Sequence, residues 1–226
     1  MIRSHGMSVP SSIAAADAAR YVLLRRLAPA MRHHLVVPLQ PIGMVCEIMA
    51  RRLRAEDPNL SEVVEGVHKV SSYSRAAQAS CVDVITWLAP EQGVRTTASE
   101  GLRECLALLQ TSFTFRGFAL RDDLGEAQGE VARSAFRYVV SGALLFLSDA
   151  SPSPAHILIT GEARADALVV SMRVTPSAGE PPMETAPLYR PLSWDDIDAL
   201  ATADGARVLR DGTGLRVELP WVLASA

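Results

Sequence analysis

Cysteine is scarce in this 226-residue chain: three residues, Cys46, Cys81 and Cys105, far apart and each in an apolar neighbourhood. An odd, scattered set excludes a disulfide framework and fits small core residues in a reducing compartment. Basic excess is missing too. The formal charge is −3, and Arg25, Arg26, Arg51, Arg52 and Arg54 are interleaved with leucine and alanine rather than gathered with aromatics. Nucleic acid is therefore not an expected partner. No apolar run approaches the roughly 18–20 residues that span a bilayer. Met-Ile-Arg-Ser-His-Gly-Met at the start lacks the apolar stretch of a secretion signal. These absences predict a cytoplasmic protein with no membrane contact. No group of Cys, His, Asp or Glu has metal-ligand spacing. Trp87, Trp194 and Trp221 stand singly and are expected to pack in the core or at its edge. With 49% apolar residues the chain is not a disordered one, and its length suffices for one good core or two small ones.

What is present is organised in two styles. After a disordered start over 1–10, the pattern from Ser11 to about Ala55 is helical. Leu24, Leu27, Met31, Leu35, Pro38, Ile42, Val45 and Met49 form a seam at near-heptad spacing. Asp57-Pro58-Asn59 breaks it, and Ser61 with Glu62 and Glu65 opens a second helix to Leu88. Val63, Val67, Val70, Ala77, Cys81, Val84 and Leu88 fall on one face of that helix. Two antiparallel helices over 11–90 would leave a long seam uncovered, which a second copy buries as a four-helix bundle. A homodimer follows.

Beyond a linker at 90–97 the rhythm is mixed. Helices are expected near 99–114, 129–148 and 194–203, and strands near 117–121, 156–161, 167–175, 206–210 and 215–220, with an irregular loop over 176–191. The fold class is α+β: a helical hairpin, then a mostly antiparallel sheet with helices on one face over 95–226.

Histidine is the side chain whose ordinary pKa lies near neutrality, so it can present an unprotonated ring nitrogen as a nucleophile. His33 stands five residues ahead of Pro38, which removes a helical hydrogen bond and deforms the rod beside it. At about 100° per residue His33 lies roughly 200° from Met31 and Leu35, away from the seam, while His34 sits at its edge. The bland alternative is a polar patch on a solvated helix. His68 is expected to be a packing or rim residue, His156 opens a strand with no ligand partner nearby, and Asp195, Asp196 and Asp198 favour a helix start rather than calcium.

The stretch His-His-Leu-Val-Val-Pro-Leu at residues 33–39 resembles the H-box of bacterial sensor histidine kinases, His-Glu-Leu-Arg-Thr-Pro-Leu. With the mixed second half, the resemblance spans about residues 12–221. It implies a dimerisation and phosphotransfer hairpin followed by an α/β sandwich of the kinase ATP-binding type. The ATP motifs are degenerate. Phe146 stands where the family asparagine would hold Mg²⁺, and Thr175 or Pro176 where an aspartate would read adenine; no glycine-rich phosphate loop follows. The chain is thus similar to bacterial histidine phosphotransferases built on a kinase scaffold.

That likeness implies His33 as phosphoacceptor between response-regulator receiver aspartates, with no ATP binding and no autokinase activity. It also implies no cofactor or metal of the chain's own, Mg²⁺ coming with the receiver. The receiver is expected to dock on Val36, Leu39, Gln40, Gly43, Met44 and Glu47, by position in the hairpin. His34 replaces the family's acidic helper, and Val37 the Thr or Asn that positions a hydrolytic water. The alternative is a non-catalytic dimeric adaptor for a two-component signalling partner.

Overall fold

A computed structural model describes residues 11–89, 93–125, 127–179 and 189–222. The stretch 1–10, the start of the linker and most of the loop expected over 176–191 lie outside them. The described residues form two compact units. One gathers Ser11–Leu27 with the residues after 92, and the other runs from Ala28 to Ala89. The sequence pattern placed 11–27 with the hairpin instead, and alanine explains the difference. Ala16, Ala19, Leu23 and Leu27 are all buried at helical spacing, but two of the four are too small to register as a seam. Leu23, rather than the expected Leu24, is the buried residue of that turn.

The helix α1 (Ser11–Val36), which enters the helical unit at Ala28, runs through Pro29 and ends at Val36, and α2 (Gln40–Leu53) restarts four residues later. The expected single helix to about Ala55 is therefore broken, not bent. Val37 N–H still reaches the His33 carbonyl (3.0 Å), but Pro38 has no N–H to offer the His34 carbonyl. Leu39 N–H then closes a tighter turn on the Val36 carbonyl (3.0 Å). Pro41 lies in the first turn of α2, where a missing donor costs nothing.

The third helix, α3 (Leu60–Leu88), returns antiparallel to α2. Asn59 caps it rather than Ser61, its side chain accepting from Ser61 N–H (3.1 Å) and Glu62 N–H (3.4 Å). Gly66 allows the two helices to approach, since a Cβ there would collide with Met49. The expected single face of α3 is divided. Ala77 is buried and Val63, Val70 and Val84 are half-buried, whereas Val67, Cys81 and Leu88 are exposed.

The second unit is α+β as expected. Its five-stranded sheet has the order β2-β4-β5-β7-β6, where β2 is Phe118–Asp123, β4 Ala155–Ala163, β5 Ala167–Pro176, β6 Arg207–Asp211 and β7 Gly214–Pro220. Only the β2–β4 pair is parallel. A separate pair, β1 (Arg95–Thr96) with β3 (Val131–Ala132), was not legible in the linker or in the start of the 129–148 helix. Strand alternation places Ala155, Ile157 and Ile159 in the core, and the helices α4 (Ala98–Phe115), α6 (Ser141–Asp149) and α7 (Trp194–Ala203) meet the sheet at β2, β7 and β6 respectively. The one-turn helix α5 (Arg133–Ala135) leads into α6 through a π-helical turn at Phe136–Val140.

Two ion-pair networks tie this unit together. Arg137, 2% exposed, and Arg133 both grip Glu104 at 2.7 Å. Burial opposes ionisation of Glu104, but the hydrogen bonds from Arg133 and Arg137 outweigh it and hold the carboxyl below its ordinary value. Asp149, at the end of α6, takes Arg26 of α1 through both oxygens (2.7 and 2.9 Å) and Arg116 of the α4 C-cap (2.7 Å). Removing one partner of a buried pair leaves the others uncompensated. Asp149→Ala is expected to cost about 3 kcal/mol in urea unfolding; a loss below about 0.5 kcal/mol, the size of an exposed pair, would contradict this role for Asp149.

Candidate functional site

His33 lies in the last turn of α1, exposed, one turn ahead of the Val37-Pro38-Leu39 break, and His34 beside it is half-buried. An exposed imidazole at a helix end can be approached by an external electrophile, which a seam-facing one cannot. The six residues expected around it, Val36, Leu39, Gln40, Gly43, Met44 and Glu47, are exposed as well. α2 meets α3 through Val45 and Met49. At about 100° per residue Gln40, Gly43, Met44 and Glu47 fall on the side of α2 turned from that contact, with Gly43 nearest the flank that carries Cys46, Ala50 and Leu53, and Leu39 at the helix cap.

Among the other histidines, His68 is exposed on α3 and His156 is half-buried on β4, its Nδ1 enclosed without a hydrogen-bond partner; His5 lies outside the described residues. Among the described residues no three His, Cys, Asp or Glu side chains come together as a metal site. Cys105 is fully buried, and that burial pushes its thiol up to about 12, so it is no nucleophile near neutral pH. Cys46 and Cys81 are free and exposed, which corrects their expected place in the core. No helix of the described residues is long and apolar enough to cross a membrane.

In the sheet unit, Phe146 lies in an aromatic contact, while Thr175 and Pro176 are exposed at the end of β5. Phe146 and Trp194 meet edge to face (ring centroids 5.9 Å apart), and the Arg210 guanidinium lies over the Trp194 ring, 4.8 Å from its centroid. Beside them is a hollow of ≈ 440 Å³ lined by Phe146, Val174, Pro176, Arg210, Thr213 and Leu215 among others. No carboxylate side chain lines it among the described residues. The Trp194 contacts were missed because the sequence gives no pairing for an isolated tryptophan.

The start of α7 is built as the sequence indicates. Ser193 caps it, and Ser193 and Asp196 form a reciprocal capping box (Asp196 N–H to Ser193 Oγ 3.2 Å, Ser193 N–H to Asp196 Oδ2 2.7 Å). Arg190 adds a forked pair to the same carboxylate at 2.6 and 2.9 Å. Asp196 thus serves the fold, while Asp195 and Asp198 remain exposed.

No family model matches the chain, and no curated protein matches it. Among solved structures it is similar to a bacterial phosphotransferase (12% identity, TM-score 0.41, covering 87% of this chain and 95% of that one). It is also similar to a histidine kinase from Burkholderia phymatum STM815 (13%, TM-score 0.43, 96% and 100%). A third is histidine kinase ThkA in complex with the response regulator protein TrrA (16%, TM-score 0.42, 96% and 68%).

The Arg190 guanidinium, helped by the Ser193 donors against burial, holds the Asp196 carboxyl at about 2. A lowered carboxyl stabilises the fold above its unfolded value of about 3.9 and loses that contribution as pH falls toward 2. Asp196→Ala should therefore cost about 1 kcal/mol at neutral pH. In thermal melts the gap between wild type and variant should narrow from about pH 4 downward; a gap unchanged near pH 2 would rule out the ionised cap.

Proposed function

We propose that this protein is a dimeric histidine phosphotransferase that relays a phosphoryl group between receiver aspartates through His33, without using ATP. The exposed His33 in the last turn before the Pro38 break carries the reading. In the transfer, the unprotonated ring nitrogen forms the N–P bond as the P–O bond to the receiver aspartate breaks, leaving a free carboxylate; a second receiver aspartate reverses the exchange. Charge on the phosphoryl oxygens is balanced by Mg²⁺ that the receiver brings, and His33 supplies only the nucleophile. Val37, with no polar group to position water, favours relay over loss of the phosphoryl group to hydrolysis. The Phe146–Trp194–Arg210 packing and the carboxylate-free hollow support the absence of nucleotide chemistry.

Dimerisation is part of the same proposal. On α3, Leu60, Val64 and Val67 and, fifteen residues further on, Val82 and Ile85 are each more than half exposed. At about 100° per residue the two groups fall on one face, flanked by Leu39 at the start of α2 and by Cys46, Ala50 and Leu53 along it. A second hairpin laid on that face would bury it as a four-helix bundle. Val67→Asp is expected to convert the dimer to a monomer in light scattering; a dimer that survives it, or a wild-type monomer, would remove this element.

His34 at the helper position favours the second reading, a dimeric adaptor that binds a receiver without accepting phosphate. His33→Gln separates the two. As a transferase the protein takes acid-labile label from a phosphorylated receiver, and the variant takes none while binding the receiver normally. If wild type takes no label from any of several receivers it binds, the adaptor stands.

A further inference from the structure

We propose that the uncovered face of the five-stranded sheet docks an acidic amphipathic helix of a partner protein, held by Arg121 and Arg173 on either side of Leu158. Alternation along the strands sends Ile157 and Ile159 inward and His156, Leu158 and Thr160 outward. The strand register pairs Arg121 with Leu158 and Leu158 with Arg173, so the three stand in one row across β2, β4 and β5. With neighbouring strands about 4.8 Å apart, the two arginine Cα atoms are about 10 Å apart. Leu158 between them is 37% exposed, an apolar side chain at the centre of an open surface.

The two arginines differ from most others in this unit. Arg26, Arg116, Arg133, Arg137, Arg190 and Arg216 all meet carboxylates, whereas Arg121 and Arg173 are exposed and meet none among the described residues. In the adjoining row, the enclosed Nδ1 of His156 has no partner. On the other flank Gly214, opposite Arg173, brings no side chain, and a hollow of ≈ 280 Å³ opens beside Leu158, Thr160, Ser171 and Arg173. Asp211 also borders it, but Arg216 holds that carboxylate at 2.9 Å. Asp123, one row from Arg121, is the exposed opposing charge nearby.

Charge complementarity selects the occupant. A helix rises about 1.5 Å per residue, so carboxylates at i and i+7 lie about 10.5 Å apart on one face, with an apolar i+3 or i+4 residue between them. That spacing matches the row, and a carboxylate can take each guanidinium through two hydrogen bonds. A polyphosphate chain would call for more cations and no apolar centre.

The test is fluorescence anisotropy of a fluorescein-labelled alanine-rich peptide of about 18 residues, long enough to be helical. It carries Glu at i and i+7 and Leu at i+3 and i+4, and it is titrated with the full chain at low and high salt. Binding should weaken roughly tenfold or more in Arg121→Glu/Arg173→Glu, and equally when the wild-type protein meets a peptide with Lys in place of Glu. Added salt should also weaken it. The Lys peptide needs no variant, so a folding defect cannot mask the answer. Label uptake by His33 should be unchanged in the double variant, which keeps this result separate from the relay. Absence of binding, equal binding of the Glu and Lys peptides, or tighter binding of an oligothymidylate of similar length would overturn the proposal.

Discussion

Proline has no N–H to donate, and this chain applies that constraint twice within four residues. Pro38 withholds the donor that the His34 carbonyl would receive in an unbroken helix, and Pro41 can be accommodated only because it opens α2. The first helix stops at Val36, ahead of both prolines and about one turn after His33. An imidazole in mid-helix can be screened by neighbours above and below, whereas one in the final turn borders a surface that has changed direction. The chemistry suggested for His33 thus rests on a backbone event; no carboxylate stands beside it in the sequence.

The sheet unit follows a different logic. Its helices carry buried or half-buried arginines, and each is compensated by a shared carboxylate, Glu104 for Arg133 and Arg137, Asp149 for Arg26 and Arg116. Such networks are poor sources of net stability but severe when broken, so they fix which surfaces can meet. They also position α1's first turns, Ala16 to Leu27, on this unit. Where a nucleotide-handling site would need oxygens for a cation, the same unit presents a phenylalanine, a tryptophan and an arginine packed on one another.

Much of this was legible in the sequence because it depends on local periodicity. The strand segments 156–161, 167–175, 206–210 and 215–220 came from alternation, the helix near 194–203 from the aspartates at its start, and all are present. The outward orientation of His33 followed from helical angle alone. What was not legible is pairing over distance. Arg26 and Asp149 are 123 residues apart, and no local pattern joins them. Alanine at 16 and 19 hid the attachment of α1, because a small side chain gives a weak hydrophobic signal whether buried or not. The β1–β3 pair is two residues on each side, below any alternation signal. Cys46 and Cys81 misled because an apolar neighbourhood in sequence proved to be an exposed helix surface.

The proposed relay has phosphoryl groups reach His33 from a phosphorylated receiver and never from nucleotide. One measurement addresses both halves: parallel incubations of the chain with γ-labelled Mg-ATP and with label carried on a phosphorylated receiver, read as acid-labile label at His33 by peptide mapping. The account predicts label from the receiver alone. Label from ATP, or label from the receiver mapping to any residue other than His33, would contradict it.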